Sequence, residues 1–116
     1  MLRDILKSKI HRATVTGANV DYEGSIVIDE TLLKAGDILP YEKVLVINLN
    51  NGSRVETYAI PGKAGEGEVS VNGGAALFSK AGDIVIIMNF CLMDEHEVKN
   101  YKAKVVHVDD KNRLTS

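Results

Sequence analysis

The sequence has few cysteines, prolines and aromatic residues, and it has no tryptophan. Its single cysteine, Cys91, excludes an internal disulfide and a cysteine-rich metal site, which is typical of proteins in the reducing cytoplasm. The longest apolar stretch, Ile84–Met93, is interrupted by Asn89 and falls short of the ~20 residues that a membrane-spanning helix needs. These absences predict a cytoplasmic protein that does not cross a membrane.

Neither sign of charge dominates the chain, because 14 lysine and arginine residues stand against 16 aspartate and glutamate residues. The formal net charge of −2 gives no electrostatic reason to expect a nucleic acid or an anionic membrane as a partner. The basic start of the chain is followed by no apolar segment, so we expect no secretory signal. The three histidines lie far apart in the sequence without matched carboxylates, which argues against a metal site.

The chain contains no linker and no low-complexity stretch, so we predict a single domain over residues 1–116. Alternating and continuous apolar patterns predict strands at residues 9–16, 44–49, 54–60, 84–90 and 103–108. In the first of these strands, Lys9 and His11 fall on the same face as Val15. The segment Asn-Asn-Gly-Ser at 50–53 is typical of a hairpin turn.

Two short helices are predicted between the strands. Asp29 can cap a helix over residues 30–35, with Gly36 as its stop, and a second helix is predicted at 75–80. The tail after Asp109 is polar, and we expect it to fray.

A short sequence repeat occurs at the end of each predicted helix. Lys-Ala-Gly-Asp-Ile-Leu at 34–39 recurs as Lys-Ala-Gly-Asp-Ile-Val at 80–85, each time after a helical segment and before a strand. The matching context favours a duplicated strand–helix–strand unit. Two such halves suit a small closed β-barrel with pseudo-twofold symmetry, in which closure removes exposed strand edges.

The junction Gly24–Ser25, at the start of a β-branched run, offers chemistry beyond that of a turn. A serine hydroxyl can attack the preceding carbonyl carbon if the backbone bends toward it, and glycine tolerates such a backbone. The amide then becomes an ester, and β-elimination of the ester cleaves the chain and leaves dehydroalanine. Hydrolysis converts the dehydroalanine to an N-terminal pyruvoyl group, which can act as an electron sink as pyridoxal phosphate does. A Gly–Ser pair alone is more often a simple turn or strand start.

Four motifs follow one another along the chain: Lys-Ile-His-Arg at 9–12, Tyr-Glu-Gly-Ser at 22–25, Thr-Tyr-Ala-Ile at 57–60 and Ser-Val-Asn-Gly-Gly-Ala-Ala at 70–76. Read together, they resemble the pyruvoyl-dependent aspartate 1-decarboxylase family. The resemblance implies decarboxylation of L-aspartate to β-alanine and CO2 for pantothenate and coenzyme A biosynthesis. It also implies a mainly β fold, a six-stranded double-psi β-barrel with short helices, and a homotetramer. Self-cleavage of a proenzyme would give residues 1–24 and 25–116.

The resemblance assigns roles to residues of this sequence. It makes Ser25 the precursor of the covalent pyruvoyl cofactor, which binds substrate as a Schiff base, and it makes Tyr58 the proton donor. The implied substrate-site positions are Lys9, His11, Arg54, Thr57, Asn72, Gly73, Gly74 and Ala75, with Tyr22 in a supporting place. A guanidinium can hold a carboxylate through two hydrogen bonds, so we assign Arg54 to the side-chain carboxylate that aspartate retains.

Two alternatives stay open at this point. A non-catalytic β-barrel binding module would keep Gly24–Ser25 intact, whereas a pyruvoyl decarboxylase of another amino acid would cleave and prefer a different substrate. The sequence departs from the family at Ile47, where some members carry a large aromatic residue, and at Gly74, where alanine is frequent. An accessory protein that assists maturation is a further partner to test for.

Overall fold

Eight strands and three short helices make up the fold, and the computed structural model describes residues 1–115. The strands are β1 (Leu2–Thr14), β2 (Gly17–Asn19), β3 (Ser25–Asp29), β4 (Lys43–Asn48), β5 (Arg54–Gly62), β6 (Val69–Asn72), β7 (Ile84–Asp94) and β8 (Lys104–His107). The helices are α1 (Glu30–Ala35), a 3₁₀ helix (Gly73–Phe78) and α2 (Glu95–Lys99). Within residues 1–115, no helix is long and apolar enough to cross a membrane.

The strands form one mixed sheet in the order β2-β6-β3-β5-β4-β7-β1-β8. The sheet closes on itself, because β1 runs into β2 with only Val15 and Thr16 between them. At this point Thr16 donates its N–H to the Val69 carbonyl at 2.8 Å. With β1 and β2 counted as one, six strands make the barrel, and β8 adds to its outside in parallel with β1. The predicted fold class, a small mainly β barrel with short helices, is confirmed.

Aliphatic side chains, most of them β-branched, fill the barrel. The fully buried members include Ile10, Val15, Ile26, Ile28, Leu32, Val44, Val69, Val71, Val85 and Ile87. Successive residues of a strand point to opposite faces, so the residues next to these positions face out of the barrel. Residues paired across neighbouring strands share a face, and the register therefore decides which side chains meet on the outside.

The middle of β1 departs from regular alternation. Its pairing with β7 is irregular between Ile10 and Ala13, and Arg12 has a left-handed φ of 62° there. This bulge brings Ala13 to the same buried side as Ile10. The predicted common face of His11 and Val15 is therefore wrong, because an alternating sequence pattern does not reveal an extra residue in the strand.

The first predicted helix is confirmed in both of its ends. Asp29 accepts the Thr31 N–H at 2.8 Å, and Gly36 closes the helix. The second helix lies at Gly73–Phe78 rather than 75–80, and it is a 3₁₀ helix. It has no side-chain cap and begins with two glycines, so the local sequence favours only a short, tight turn there.

Residues 110–115 are held against the barrel, so the predicted fraying is wrong for this part of the tail. Asn112 is buried, and its side-chain amide donates to the carbonyls of Thr14 and Gly67 at 2.7 and 2.9 Å. The same side chain accepts the Thr14 N–H at 2.8 Å. One amide thus satisfies three backbone groups, which a purely compositional argument does not detect.

The two copies of the Lys-Ala-Gly-Asp-Ile repeat hold equivalent places between a helix and a strand but differ locally. Gly36 has a φ of −89°, whereas Gly82 has a left-handed φ of 96°. Asp83 is buried and accepts the Asn48 side-chain amide at 2.9 Å, whereas Asp37 is exposed. The repeat in sequence therefore does not extend to the same backbone or the same contacts.

Candidate active site

The Gly24–Ser25 junction lies where an exposed loop enters the barrel wall. Ser25 is the first residue of β3 and is only 6% exposed, whereas residues 20–24 are exposed. Ile26 and Ile28 fill the core, so Ser25 faces the outer side of the strand. The bond expected to break thus joins an exposed residue to a covered one.

The two strands beside β3 bring further predicted residues to Ser25. β3 runs antiparallel to β6, with Ser25 opposite Asn72. It runs parallel to β5 from the pair Ile26–Ala59, so the preceding residues, Ser25 and Tyr58, lie side by side at the same end. Ile26 and Ala59 are both fully buried, and Ser25 and Tyr58 therefore share the outer face.

Gly73 lies directly against the junction. Its φ is 70°, and a Cβ placed on it would lie 2.5 Å from Gly24 Cα and 2.7 Å from Gly24 N. The same atom would lie 3.2 Å from the Tyr22 carbonyl oxygen. Only a residue without a side chain permits this approach. Gly74 has open space around it and Ala75 is half-buried, so the close fit is confined to Gly73.

The Ser25 hydroxyl is only loosely held. Its Oγ donates to the Glu23 carbonyl at 3.5 Å, which is long for a hydroxyl hydrogen bond. Gly24 does not have a positive φ, and a side chain there would meet nothing within 4 Å. The left-handed glycine of this site is therefore Gly73 and not Gly24.

Thr57 and Tyr58 point to opposite faces of β5. Thr57 shares the face of the buried Ala59, whereas Tyr58 is half-buried on the outer face. The Tyr58 ring lies beside that of Tyr41, with centroids 6.3 Å apart and ring planes at 34°. Of the two predicted neighbours, Tyr58 is thus the one that shares a surface with Ser25.

Arg54 lies on the same face of β5 as Tyr58, but about 13 Å away along the strand. Its guanidinium donates to the Gly52 carbonyl at 3.0 Å, within its own hairpin turn, and the residue is exposed. Its partner on β4 is Ile47. One chain therefore does not bring Arg54 to Ser25.

Lys9 and His11 lie on β1, which pairs with β7 and β8 and not with β3. The His11 ring meets the His107 ring edge-on at 5.8 Å beside a cavity of about 400 Å³. Burial, reinforced by the positive charge of Lys9, holds the pKa of His11 below its ordinary value, so the imidazole is neutral at pH 7. Residues 1–115 contain no group of three or more histidine, cysteine or acidic side chains placed to hold a metal.

Two residues beside the site were not predicted. Asn19 lies opposite Asn72 where β2 pairs with β6, and its side-chain oxygen accepts the Asp21 N–H at 3.0 Å. The spacing Asn-x-Asp is the signal that could have revealed this turn before the junction. Tyr41 reaches Tyr58 from a distant segment, and no local signal marks that contact.

Known proteins resemble this chain over nearly its whole length. A family profile described as aspartate decarboxylase matches residues 1–115. The chain is 54% identical over 113 residues to the aspartate 1-decarboxylase of Thermoanaerobacter pseudethanolicus, with 97% of each chain covered. It is 55% identical to the protein of that name from Carboxydothermus hydrogenoformans, covering 98% of this chain and 90% of the relative. The corresponding protein of Persephonella marina is 48% identical, with 98% and 81% covered.

Proposed function

We propose, from the premise that this chain belongs to the aspartate decarboxylase family, that it converts L-aspartate to β-alanine and CO2 for pantothenate and coenzyme A biosynthesis. The identity over nearly the full chain favours this enzyme over a non-catalytic barrel. Within the fold, the observation that supports the proposal is that two predicted site residues lie next to Ser25 on the neighbouring strands. Tyr58 adjoins it on one neighbouring strand and Asn72 on the other.

The cofactor that we propose is a pyruvoyl group formed from Ser25. Such a group is smaller than the serine residue from which it forms, so the covered position of Ser25 accommodates it. The close approach of Gly73 to Gly24 leaves only backbone on that side of the junction. A pyruvoyl carbonyl would supply an electrophile for an amine substrate and a sink for the electron pair that stays on the substrate carbon when CO2 leaves.

The bond that we propose to break is Gly24–Ser25, which gives fragments 1–24 and 25–116. The Ser25 hydroxyl has only a 3.5 Å contact with the Glu23 carbonyl, so it can rotate toward the carbonyl carbon of Gly24. Ser25 also begins a strand that is paired on both sides, whereas the loop before it is exposed. The fragment that starts at residue 25 thus keeps its first residue anchored in the sheet.

We assign proton delivery to Tyr58. The substrate carbon that loses CO2 must gain a proton, and a positioned phenol beside Ser25 can supply it. Tyr58 is half-buried, lies on the same face as Ser25 and stands at the same level of the sheet. The segment from Gly73 to Ala75 begins against Gly24, and we propose it as a substrate contact. We propose the same role for Thr57, although it points to the opposite face of β5 from Tyr58, so it can reach the substrate only where the strand twists near the mouth of the barrel.

A second copy of the chain completes the site that we propose. Arg54, Lys9 and His11 do not neighbour Ser25 within one chain, yet the retained carboxylate of aspartate needs a cation. Arg54 is exposed, so it is available to a neighbouring subunit. We therefore propose a homotetramer with substrate sites between subunits. Sedimentation of the processed protein is expected to give about four times the chain mass, and a fully active monomer would contradict shared sites.

We place the enzyme in the cytoplasm, because its single cysteine is unpaired and suits a reducing compartment. An accessory maturation factor would reveal itself as cleavage that completes in a cell lysate but stalls in purified protein. Purified protein that cleaves to completion at the same rate would show that no such factor is needed.

Replacement of Ser25 tests the proposal, and the chain has a matched control. Gly52–Ser53 is a second Gly–Ser pair, placed in the hairpin turn, where the Ser53 N–H donates to the Asn51 side chain at 2.9 Å. Ser25→Ala is expected to leave one intact chain without decarboxylase activity, because it lacks the attacking hydroxyl. Ser53→Ala is expected to be cleaved and active. Intact mass and CO2 release measure both outcomes.

Two results would contradict the proposal. One is CO2 release from aspartate by the Ser25→Ala protein. The other is a cleaved wild-type protein that decarboxylates a different amino acid faster than aspartate when CO2 release is compared across amino acids. The first result would show that activity does not depend on a pyruvoyl group formed from Ser25. The second would show that the pyruvoyl group is correct but that aspartate is not the preferred substrate.

A further inference from the structure

Tyr41 has a backbone conformation that a bulky side chain disfavours. Its φ is 72°, a left-handed value that outside glycine is seen mostly in asparagine and aspartate. The side chain is 75% exposed, so burial of the ring in the core does not compensate for this backbone. Such an outlier is a reason to look for a function nearby.

Two hydrogen bonds tie this residue to the strand that carries Tyr58. The Tyr41 N–H donates to the Ala59 carbonyl at 2.8 Å, and the Ala59 N–H donates to the Glu42 carbonyl at 3.0 Å. Ala59 directly follows Tyr58 in β5. The backbone of Tyr41 is therefore fixed relative to Tyr58.

The Glu42 carboxylate holds the turn at residues 39–42, which contains Tyr41, through three hydrogen bonds. It accepts the Leu39 N–H at 2.8 Å and the Lys7 ammonium at 3.2 Å, and its other oxygen accepts the Asn89 amide at 3.3 Å. Burial alone would raise the pKa of Glu42, but the hydrogen bonds from Leu39 and Lys7 hold that pKa below its ordinary value. The lowered pKa favours the charged carboxylate, which accepts these three hydrogen bonds.

The ring of Tyr41 lies against the ring of Tyr58 on the outer face of the barrel. Their centroids are 6.3 Å apart, within the ~4.5–7 Å range of favourable aromatic pairs. Ser25 flanks Tyr58 from the neighbouring strand. We infer that Tyr41 is a positioning residue whose ring limits the rotation of the Tyr58 ring on the outer face that Tyr58 shares with Ser25. In this inference, the left-handed backbone serves to direct the Tyr41 ring onto Tyr58. The inference rests on the proposed role of Tyr58 as proton donor.

Tyr41→Asn tests the ring separately from the backbone, because asparagine suits the left-handed conformation. The variant is expected to cleave, to assemble and to resist unfolding as the wild type does. Its kcat should fall about 10-fold with KM changed by less than about 2-fold, since a catalytic group displaced by ~1 Å can lose ~10²-fold in rate. Tyr41→Phe keeps the ring and should recover most of this loss. Leu39→Ser, in the same turn and 63% exposed in the wild type, is the control and should turn over normally.

A double-mutant cycle with Tyr58→Phe decides whether the effect passes through the phenol. In the Tyr58→Phe background, Tyr41→Asn is expected to cause no further loss, because no phenol remains to be oriented. Normal turnover by Tyr58→Phe would overturn the proposed role of Tyr58 itself. If Tyr58→Phe is impaired, three results overturn the inference about Tyr41 alone. They are normal turnover by Tyr41→Asn, losses that add fully in the double variant, and dissociation of the assembly by Tyr41→Asn.

Discussion

The contact between Gly73 and Gly24 is expected to govern cleavage, and Gly73→Ala tests it. Alanine at this left-handed φ of 70° loses about 1–2 kcal/mol of stability through its backbone alone. The new Cβ would lie 2.5 Å from Gly24 Cα, so one of the two backbones must move by about 1 Å to reach ordinary contact. Such overpacking costs a further ~1–3 kcal/mol. The expected loss in the free energy of unfolding is therefore about 2–5 kcal/mol.

Gly65→Ala is the matched control for this variant. Gly65 also has a left-handed φ, 85°, but a side chain there would meet nothing within 4 Å. The Gly65→Ala variant should therefore lose only the backbone contribution to the free energy of unfolding, about 1–2 kcal/mol. The difference between the two variants isolates the contact of residue 73 with the junction.

Denaturant unfolding measures the stabilities, with both glycine variants made in the Ser25→Ala chain so that every protein is uncut. In the chain that retains Ser25, intact mass followed over time gives the rate of cleavage. Gly73→Ala is expected to cleave at least about 10-fold more slowly than Gly65→Ala, because a displaced Gly24 carbonyl carbon is poorly placed for attack by the Ser25 hydroxyl. Equal stabilities and equal cleavage rates for the two variants would refute the reasoning.

Three further predictions concern the proton donor, the substrate cation and acid stability. Tyr58→Phe should be cleaved yet turn over ~10²–10⁴-fold more slowly without its phenol; near-normal turnover would pass the role to another group. Arg54→Ala should weaken kcat/KM for aspartate by ~1.5–3 kcal/mol, whereas Arg3→Ala at the surface should not; equal values would make Arg54 a surface residue only. Burial would raise the pKa of Asp29, but backbone N–H groups, first that of Gly67, hold it below its ordinary value. A lowered pKa stabilises the fold while the carboxylate is ionised, so the stability difference between wild type and Asp29→Asn should shrink as the pH falls from about 6 to about 3, and a constant difference would contradict this.

Local signals explain the parts of the fold that could be predicted from the sequence. The helix after Asp29 carries its cap and its stop within a few residues, and the turn at 50–53 has the glycine that its left-handed φ requires. The capping box of α2, formed by Asp94 and Glu97, is a local signal of the same kind, although no helix was predicted there.

Long-range contacts explain what could not be predicted. β6 is only four residues long and is recognisable mainly through its pairing with β2 and β3. The fit of Gly73 against Gly24, and of Tyr41 against Tyr58, joins segments far apart in sequence. Family motifs predicted that Ser25 lies near the other site residues, and the strand register places Tyr58 and Asn72 beside it. The alternation of apolar and polar residues along one strand could not have predicted these neighbours, because they lie on other strands.

The place of β1 in the barrel has a consequence for folding if the chain is cut between Gly24 and Ser25, as we propose. Residues 1–24 contain β1 and β2, and β1 is bound along its length by β7, from Leu2–Asp94 to Thr14–Ile84, and on its other side by β8. After the proposed cut, we expect the peptide 1–24 to stay in the barrel, held only by noncovalent contacts. An uncut chain refolds in a unimolecular reaction, whereas a cut and unfolded chain must bind the separate peptide 1–24 in a bimolecular reaction. The refolding yield of the cut protein should then rise with protein concentration, and in dilute solution we expect its lifetime to depend on slow unfolding rather than on reversible refolding.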